Sequence, residues 1–129
     1  MFHTTIAAGN LGRDPEMRYT GDGQPVTNFP LACNRQYTNG TGQKVTETIW
    51  FRVTVWGKQA ENCNQYLQKG SKVLIEGHLT PDPATGAPRV WESNGRHGAS
   101  YEITASRVRF MSPKESGEEV PSTEEDLVF

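Results

Sequence analysis

The sequence predicts an all-β fold: a five-stranded barrel with one short helix between its third and fourth strands, followed by an acidic tail. Three observations carry that prediction. Short β-type runs separated by turn signals fill residues 3–110, a single stretch at 58–69 switches to helical spacing, and after residue 110 the composition turns to Ser, Pro, Glu and Gly.

The first run covers residues 3–10 and is stopped by Gly9, Gly12 and the Asp14-Pro15 pair. A second spans 25–35, with Phe29, Leu31 and Cys33 on one face. Pro30 falls on the opposite face, where it removes a ladder donor, so an edge or a bulge is expected there. Residues 37–44 are polar and Gly-containing, which suits a long hairpin loop. The third run, 46–56, stops at Gly57. Ala60, Cys63 and Leu67 then recur at helical spacing, with Gly70 as the stop, and predict one amphipathic helix over 58–69. A fourth run follows at 72–79. Residues 80–100 carry Pro81, Pro83, Gly86, Pro88, Gly95 and Gly98 and are expected as a long loop or flexible hairpin, before a fifth run at 101–110. Five strands with a helix between the third and fourth is the element order of the OB-fold, a Greek-key barrel that binds oligonucleotides and oligosaccharides.

The 129 residues allow one domain over 1–110 with an appendage at 111–129. Charge is split between the two. Residues 1–110 hold 12 Lys+Arg against 9 Asp+Glu, and residues 111–129 hold 1 against 6, so balances of +3 and −5 make up the net −2. A mildly basic body is thus hidden behind an acidic end. The last segment is too poor in apolar residues to offset its ordering entropy and is expected to be disordered. Cys33 and Cys63 both fall on apolar faces and are expected as reduced, buried thiols. The N-terminus has no basic region followed by an apolar run, and no stretch approaches the ~20 apolar residues of a membrane helix, so the chain reads as cytosolic.

The third run holds the chemistry. In Trp50-Phe51-Arg52-Val53-Thr54-Val55-Trp56, strand alternation puts Phe51, Val53 and Val55 on an inward face and Trp50, Arg52, Thr54 and Trp56 on the other. Two indoles flanking a guanidinium make a poor barrel interior. They make a good platform for nucleic acid, with bases stacking on the rings and Arg52 meeting phosphate. The indoles lie ~20 Å apart along the strand, far enough to engage separate nucleotides. An interface with another subunit is the competing use of exposed tryptophans. Tyr37, beside the 37–44 loop, and Trp91, near Arg89 in the 80–100 loop, are further aromatic candidates. Lys44, Lys58, Lys69, Lys72, Arg18, Arg35 and Arg96 are candidate phosphate contacts. His3, His78 and His97 lie in unrelated elements without ligand spacing, and no nucleophile with an adjacent base is present. Neither a metal, a cofactor nor an enzymatic activity is expected.

With these residues in view, the sequence resembles the bacterial single-stranded DNA-binding protein family. The resemblance rests on Gly9-Asn10-Leu11-Gly12-Arg13-Asp14-Pro15-Glu16-Met17-Arg18-Tyr19, on Trp50-Phe51-Arg52-Val53, and on Tyr66-Leu67-Gln68-Lys69-Gly70-Ser71 followed by Ile75-Glu76-Gly77. It implies an OB-fold assembling into a homotetramer, or into another assembly with four OB domains, and binding single-stranded DNA without sequence preference in replication, recombination and repair. By position it implies stacking aromatics at Tyr37, Trp50, Trp56 and Trp91 and basic contacts at Arg18, Arg52, Lys58 and Lys69. The end Glu124-Glu125-Asp126-Leu127-Val128-Phe129 resembles the family's acidic tip, which implies docking of replication, recombination and repair enzymes. The family usually has proline where Val128 stands, and often basic residues where this chain has Thr80-Pro81-Asp82-Pro83. Two other classes stay open on the residues alone: an adaptor working mainly through the acidic tip, and an OB-fold sugar binder or enzyme.

Overall fold

A computed structural model describes residues 1–111; the acidic tip at 124–129 lies outside the described residues. In chain order the elements are β1 (Thr5–Leu11), β2 (Glu16–Tyr19), β3 (Pro25–Thr38), β4 (Lys44–Trp56), α1 (Lys58–Tyr66), β5 (Lys72–Leu79), β6 (Arg89–Ser93) and β7 (Arg96–Phe110). The sheet runs β1-β5-β7-β4-β3-β2, and β1 also pairs with β3 through Asn10↔Ala32 and Leu11↔Leu31. That second pairing closes β1, β5, β7, β4 and β3 into a five-stranded barrel, with the helix between the third and fourth barrel strands as expected.

The barrel is filled from alternate positions of every strand. Leu11, Phe29, Leu31, Val53, Val55, Val73, Ile75 and Ile103 are all buried, and Ala60, Cys63 and Leu67 cap one end of the core. Thr27 is the buried polar residue of this core among the described residues. Its hydroxyl donates to the Ala60 carbonyl at 2.8 Å, which ties β3 to the first turn of α1. Two glycines allow strands to approach closely: a Cβ on Gly9 would strike the Ala32 carbonyl, and one on Gly77 the Thr104 carbonyl.

Several boundaries differ from expectation, each for a local reason. Residues 16–19 form a strand that follows the Asp14-Pro15 turn and pairs with the start of β3; at four residues it is too short for its pattern to show. The expected long loop at 37–44 shrinks to residues 39–43, because Asn39 Oδ1 accepts from the amides of Thr41 and Gln43 and folds the turn on itself. The helix stops at Tyr66, three residues before the expected end, since Leu67 turns to extended geometry and its amide bonds back to Cys63. Pro30 lies at neither an edge nor a bulge: β3 stays in register with β4 across Pro30↔Arg52. Its other side is the gap where the partner of β3 passes from β2, at Pro25–Asn28, to β1, at Leu31 and Ala32. A missing donor does no harm there, and the Pro30 carbonyl still accepts from Gly12 at 3.0 Å.

The stretch at 80–100, expected as a long loop or flexible hairpin, holds a hairpin over 89–100. Ser93 pairs with Arg96 across Asn94 and Gly95, whose φ values of 52° and 79° make a type I′ turn. Both cysteines are free. Cys63 is buried and Cys33 half-buried, and burial pushes the thiols up to about 12 and about 11 respectively. No helix among the described residues is long and apolar enough to cross a membrane.

Candidate nucleic-acid interface

The alternation expected for β4 is the alternation observed. Val53 and Val55 are 0% exposed, whereas Trp50 and Trp56 are 53% and 43% exposed and Arg52 is also exposed. Register carries this outer face across the neighbouring strands. Residues paired across strands share a face, so Trp56 stands beside Val26 and Arg18, Thr54 beside Asn28 and Glu16, and Arg52 beside Pro30. On the other side of β4, Arg52 pairs with Glu102 and Thr54 with Thr104 in parallel register.

The same face continues along β7 into the hairpin. Glu102, Ser100 and Gly98 alternate along one side of the strand, opposite Arg89 and Trp91 of β6 through the Arg89↔Ser100 and Trp91↔Gly98 pairs. The Trp91 indole lies over Gly98, where a Cβ would collide with the ring. At the far edge Gly12 plays a similar part for Trp50, because a Cβ there would come within 2.6 Å of the indole. Gly12 is held by its bond to Pro30, while the turn that follows is clasped by the Lys69 amide donating to Asp14 Oδ1 at 2.8 Å.

Two adjoining clefts result. The larger, about 350 Å³, has Trp50, Trp91 and Tyr101 among its walls together with Arg13, Arg18 and Arg52. The smaller, about 270 Å³, is bounded by Trp56, Arg18, Arg52, Arg89 and Glu102. Among the described residues Arg13, Arg18 and Arg52 enter no ion pair, whereas Arg89 Nε lies 3.2 Å from Glu102 Oε2. The surface therefore offers flat apolar rings beside guanidinium groups free to meet an anion, which is the chemistry of a groove for a single polynucleotide strand.

The sequence-derived candidates separate into those the fold gathers and those it does not. Trp50, Arg52, Trp56, Arg18 and Trp91 all line these clefts. Tyr37 does not. It pairs with Val45 on the core-side face of the β3–β4 ribbon, opposite to Trp50, and Arg35 covers its ring at 5.0 Å while also bonding Glu47. Lys58 is exposed at the start of α1 and pairs with Glu61 at 3.8 Å, and Lys69 is exposed in the turn before β5; neither lines either of these two clefts. Residues 124–129 lie outside the described residues. Arg13, Asn28, Tyr101 and the acids Glu16 and Glu102 were not singled out as contacts by sequence, and Arg89 was named there only as the neighbour of Trp91. For Arg89 a signal existed: Asn94-Gly95 marks a hairpin, and two-residue alternation puts Arg89 on the face of Trp91.

The fold and this surface define an OB-fold protein with an aromatic and cationic outer face. The family model described as "Single-strand binding protein family" matches residues 2–111, and the chain belongs to that family, whose members are binding proteins rather than enzymes. It is 39% identical over 111 residues to single-stranded DNA-binding protein 1 of Chlorobaculum tepidum, covering 84% of this chain and 64% of that relative. It is also 39% identical over 127 residues to the single-stranded DNA-binding protein of Thermotoga maritima, covering 98% of this chain and 84% of the relative. Among solved structures, the Plasmodium falciparum SSB in complex with ssDNA superposes with a TM-score of 0.69 at 20% identity, covering 87% of this chain and 96% of that one, a likeness of fold.

Proposed function

We propose that this chain binds single-stranded DNA without sequence preference and protects it during replication, recombination and repair. The observation that carries the reading is the continuous outer face on which Trp50, Arg52, Trp56, Arg18 and Trp91 meet. Every nucleobase has a flat face, so stacking on these rings tolerates any sequence; the guanidinium groups track the backbone between the bases. Tyr37, on the reverse of the ribbon, fits a strand that passes around the β3–β4 hairpin rather than one confined to the clefts. Lys58 and Lys69 fit more distant phosphate contacts.

Two finer elements belong to the same reading. Ile6, Tyr66, Leu79 and Phe110 are large apolar side chains left exposed outside the clefts, which supports assembly of several copies, a homotetramer by family likeness. Glu124, Glu125, Asp126, Leu127, Val128 and Phe129 form an acidic tip with a terminal aromatic, suited to recruiting replication, recombination and repair enzymes in the cytoplasm at the nucleoid.

The test is a titration with oligo-dT of graded length at two salt concentrations, read by tryptophan fluorescence. Quenching on binding and an affinity that falls with salt are expected. Trp50→Ala or Trp56→Ala weakens binding by roughly 1–3 kcal/mol, a range established on single-strand-binding OB-folds themselves and taken over here. Unchanged affinity in both variants would refute the platform.

A further inference from the structure

Glu102 places a carboxylate inside a face otherwise suited to an anion. Its side chain is only 14% exposed, and its Oε2 contacts Arg89 Nε at 3.2 Å. It is also the register partner of Arg52 on the adjacent parallel strand, so both side chains rise from one side of the sheet. The smaller cleft thus gathers Arg18, Arg52 and Arg89 around one acid. By charge alone that acid opposes a phosphodiester.

Its connections assign it a different part. β6 hydrogen-bonds to β7 alone, and Arg89, its first residue, makes the single ion pair among the described residues that ties β6 to the barrel portion of β7. Trp91 stands two residues further on, on the same face and ~7 Å along the strand. Fixing Arg89 therefore fixes the near end of the strand that carries Trp91. A guanidinium also has more N–H donors than one carboxylate can occupy, so a held Arg89 retains donors for a phosphate.

We propose that Glu102 is a positioning residue for strand binding: it orders Arg89 beside Arg52 for the DNA backbone and, through Arg89, holds Trp91 over the larger cleft. This rests on the single-strand reading above. Ordering a long, rotamer-rich side chain before the ligand arrives lowers the entropy lost on binding, and that gain outweighs the repulsion of one carboxylate whose charge is already offset by Arg89.

The experiment uses the full chain and oligo-dT at fixed salt, with Glu102→Ala, Glu102→Gln, Arg89→Ala and the Glu102→Ala/Arg89→Ala double variant. Glu102→Ala and Arg89→Ala are each expected to weaken binding about tenfold, as for loss of a charge-assisted hydrogen bond. The double variant is expected to lose no more than either single one. Glu102→Gln keeps an acceptor for Arg89 and is expected to stay within about twofold of the wild type. In a Trp50→Phe/Trp56→Phe background, acrylamide quenching of Trp91 is expected to rise with Glu102→Ala. Tighter binding by both Glu102 variants, which charge removal alone would give, overturns the proposal, as do additive losses. Should Glu102→Ala fail to fold by circular dichroism, Glu102→Gln and Arg89→Ala decide. A wild type that ignores oligo-dT refutes the single-strand reading instead, and Trp91 quenching still tests the hold of Glu102 on the hairpin.

Discussion

Gly12 lies against the indole of Trp50, so close that a Cβ at position 12 would stand 2.6 Å from the ring. The nearest atoms are the far end of the indole rather than backbone, and the φ of Gly12 is outside the left-handed region, so the glycine serves the placement of a ring and not a turn. Gly12→Ala is accordingly expected to change folding stability by less than about 1 kcal/mol, because the ring can swing away. It is expected to weaken oligo-dT binding by about 1 kcal/mol, part of the worth of one stacked base. Denaturant titration beside DNA titration separates the two; a large loss of stability would show the glycine to be structural.

Gly77 makes the opposite case. A Cβ there meets the Thr104 carbonyl of the adjacent strand, which belongs to the barrel wall and has no free direction in which to move. Gly77→Ala is expected to destabilise the fold by about 2–4 kcal/mol through overpacking and loss of β5–β7 pairing. Chemical denaturation monitored by far-UV circular dichroism checks it.

Thr27 joins β3 to α1 through one buried hydroxyl, 2.8 Å from the Ala60 carbonyl. Thr27→Val conserves shape but removes the donor, and about 1–2 kcal/mol of stability is expected to go with it. The clefts lie on the other side of the sheet, so DNA affinity is expected to stay unchanged. An isothermal denaturation curve and an oligo-dT titration on the same preparation read both.

Arg52 sits between the two indoles without an ion pair among the described residues. Arg52→Ala is expected to weaken oligo-dT, oligo-dA and oligo-dC binding alike and to lower the slope of log affinity against log salt by about 0.7, the single-strand value for one phosphate contact. A loss confined to one base would contradict a phosphate role.

The thiols predict the alkaline limit of stability. Burial raises Cys63 to about 12 and Cys33 to about 11 from the ordinary 9.0, so the folded state keeps protons that the unfolded state releases. With folded values above unfolded ones, their contribution is complete below pH 9 and declines as pH rises from 9 towards 11 and 12. Unfolding free energy measured from pH 8 to 11 is expected to fall, with the fall reduced in Cys33→Ala/Cys63→Ala. At neutral pH both thiols remain protonated, and iodoacetamide is expected to label them only after denaturation.

The barrel was largely legible because its signals are local. A run such as Phe51, Val53 and Val55 shows period two by itself, and Ala60, Cys63 and Leu67 show the helical period by themselves. What escaped was whatever depends on a partner strand. β2 is four residues long and exists because the start of β3 offers it an edge. The 80–100 stretch reads as a long loop or flexible hairpin by its Pro and Gly content, and pairing with β7 makes its second half a type I′ hairpin. The helix end was misplaced because Gly70 lies in the turn before β5 rather than at the helix terminus.

Sequence by itself determined which side chains of β4 face out, since alternation along one strand follows from backbone geometry without reference to anything else. It thereby determined the platform of Trp50, Arg52 and Trp56. Only the tertiary structure decided what shares that platform. Arg18 arrives through β2, Arg89 and Trp91 through β6 and Glu102 through β7, while Tyr37, equally aromatic, is turned to the reverse of the ribbon. The reason is register: pairing across strands is fixed by long-range hydrogen bonds and core packing, and a shift of one residue would exchange the two faces.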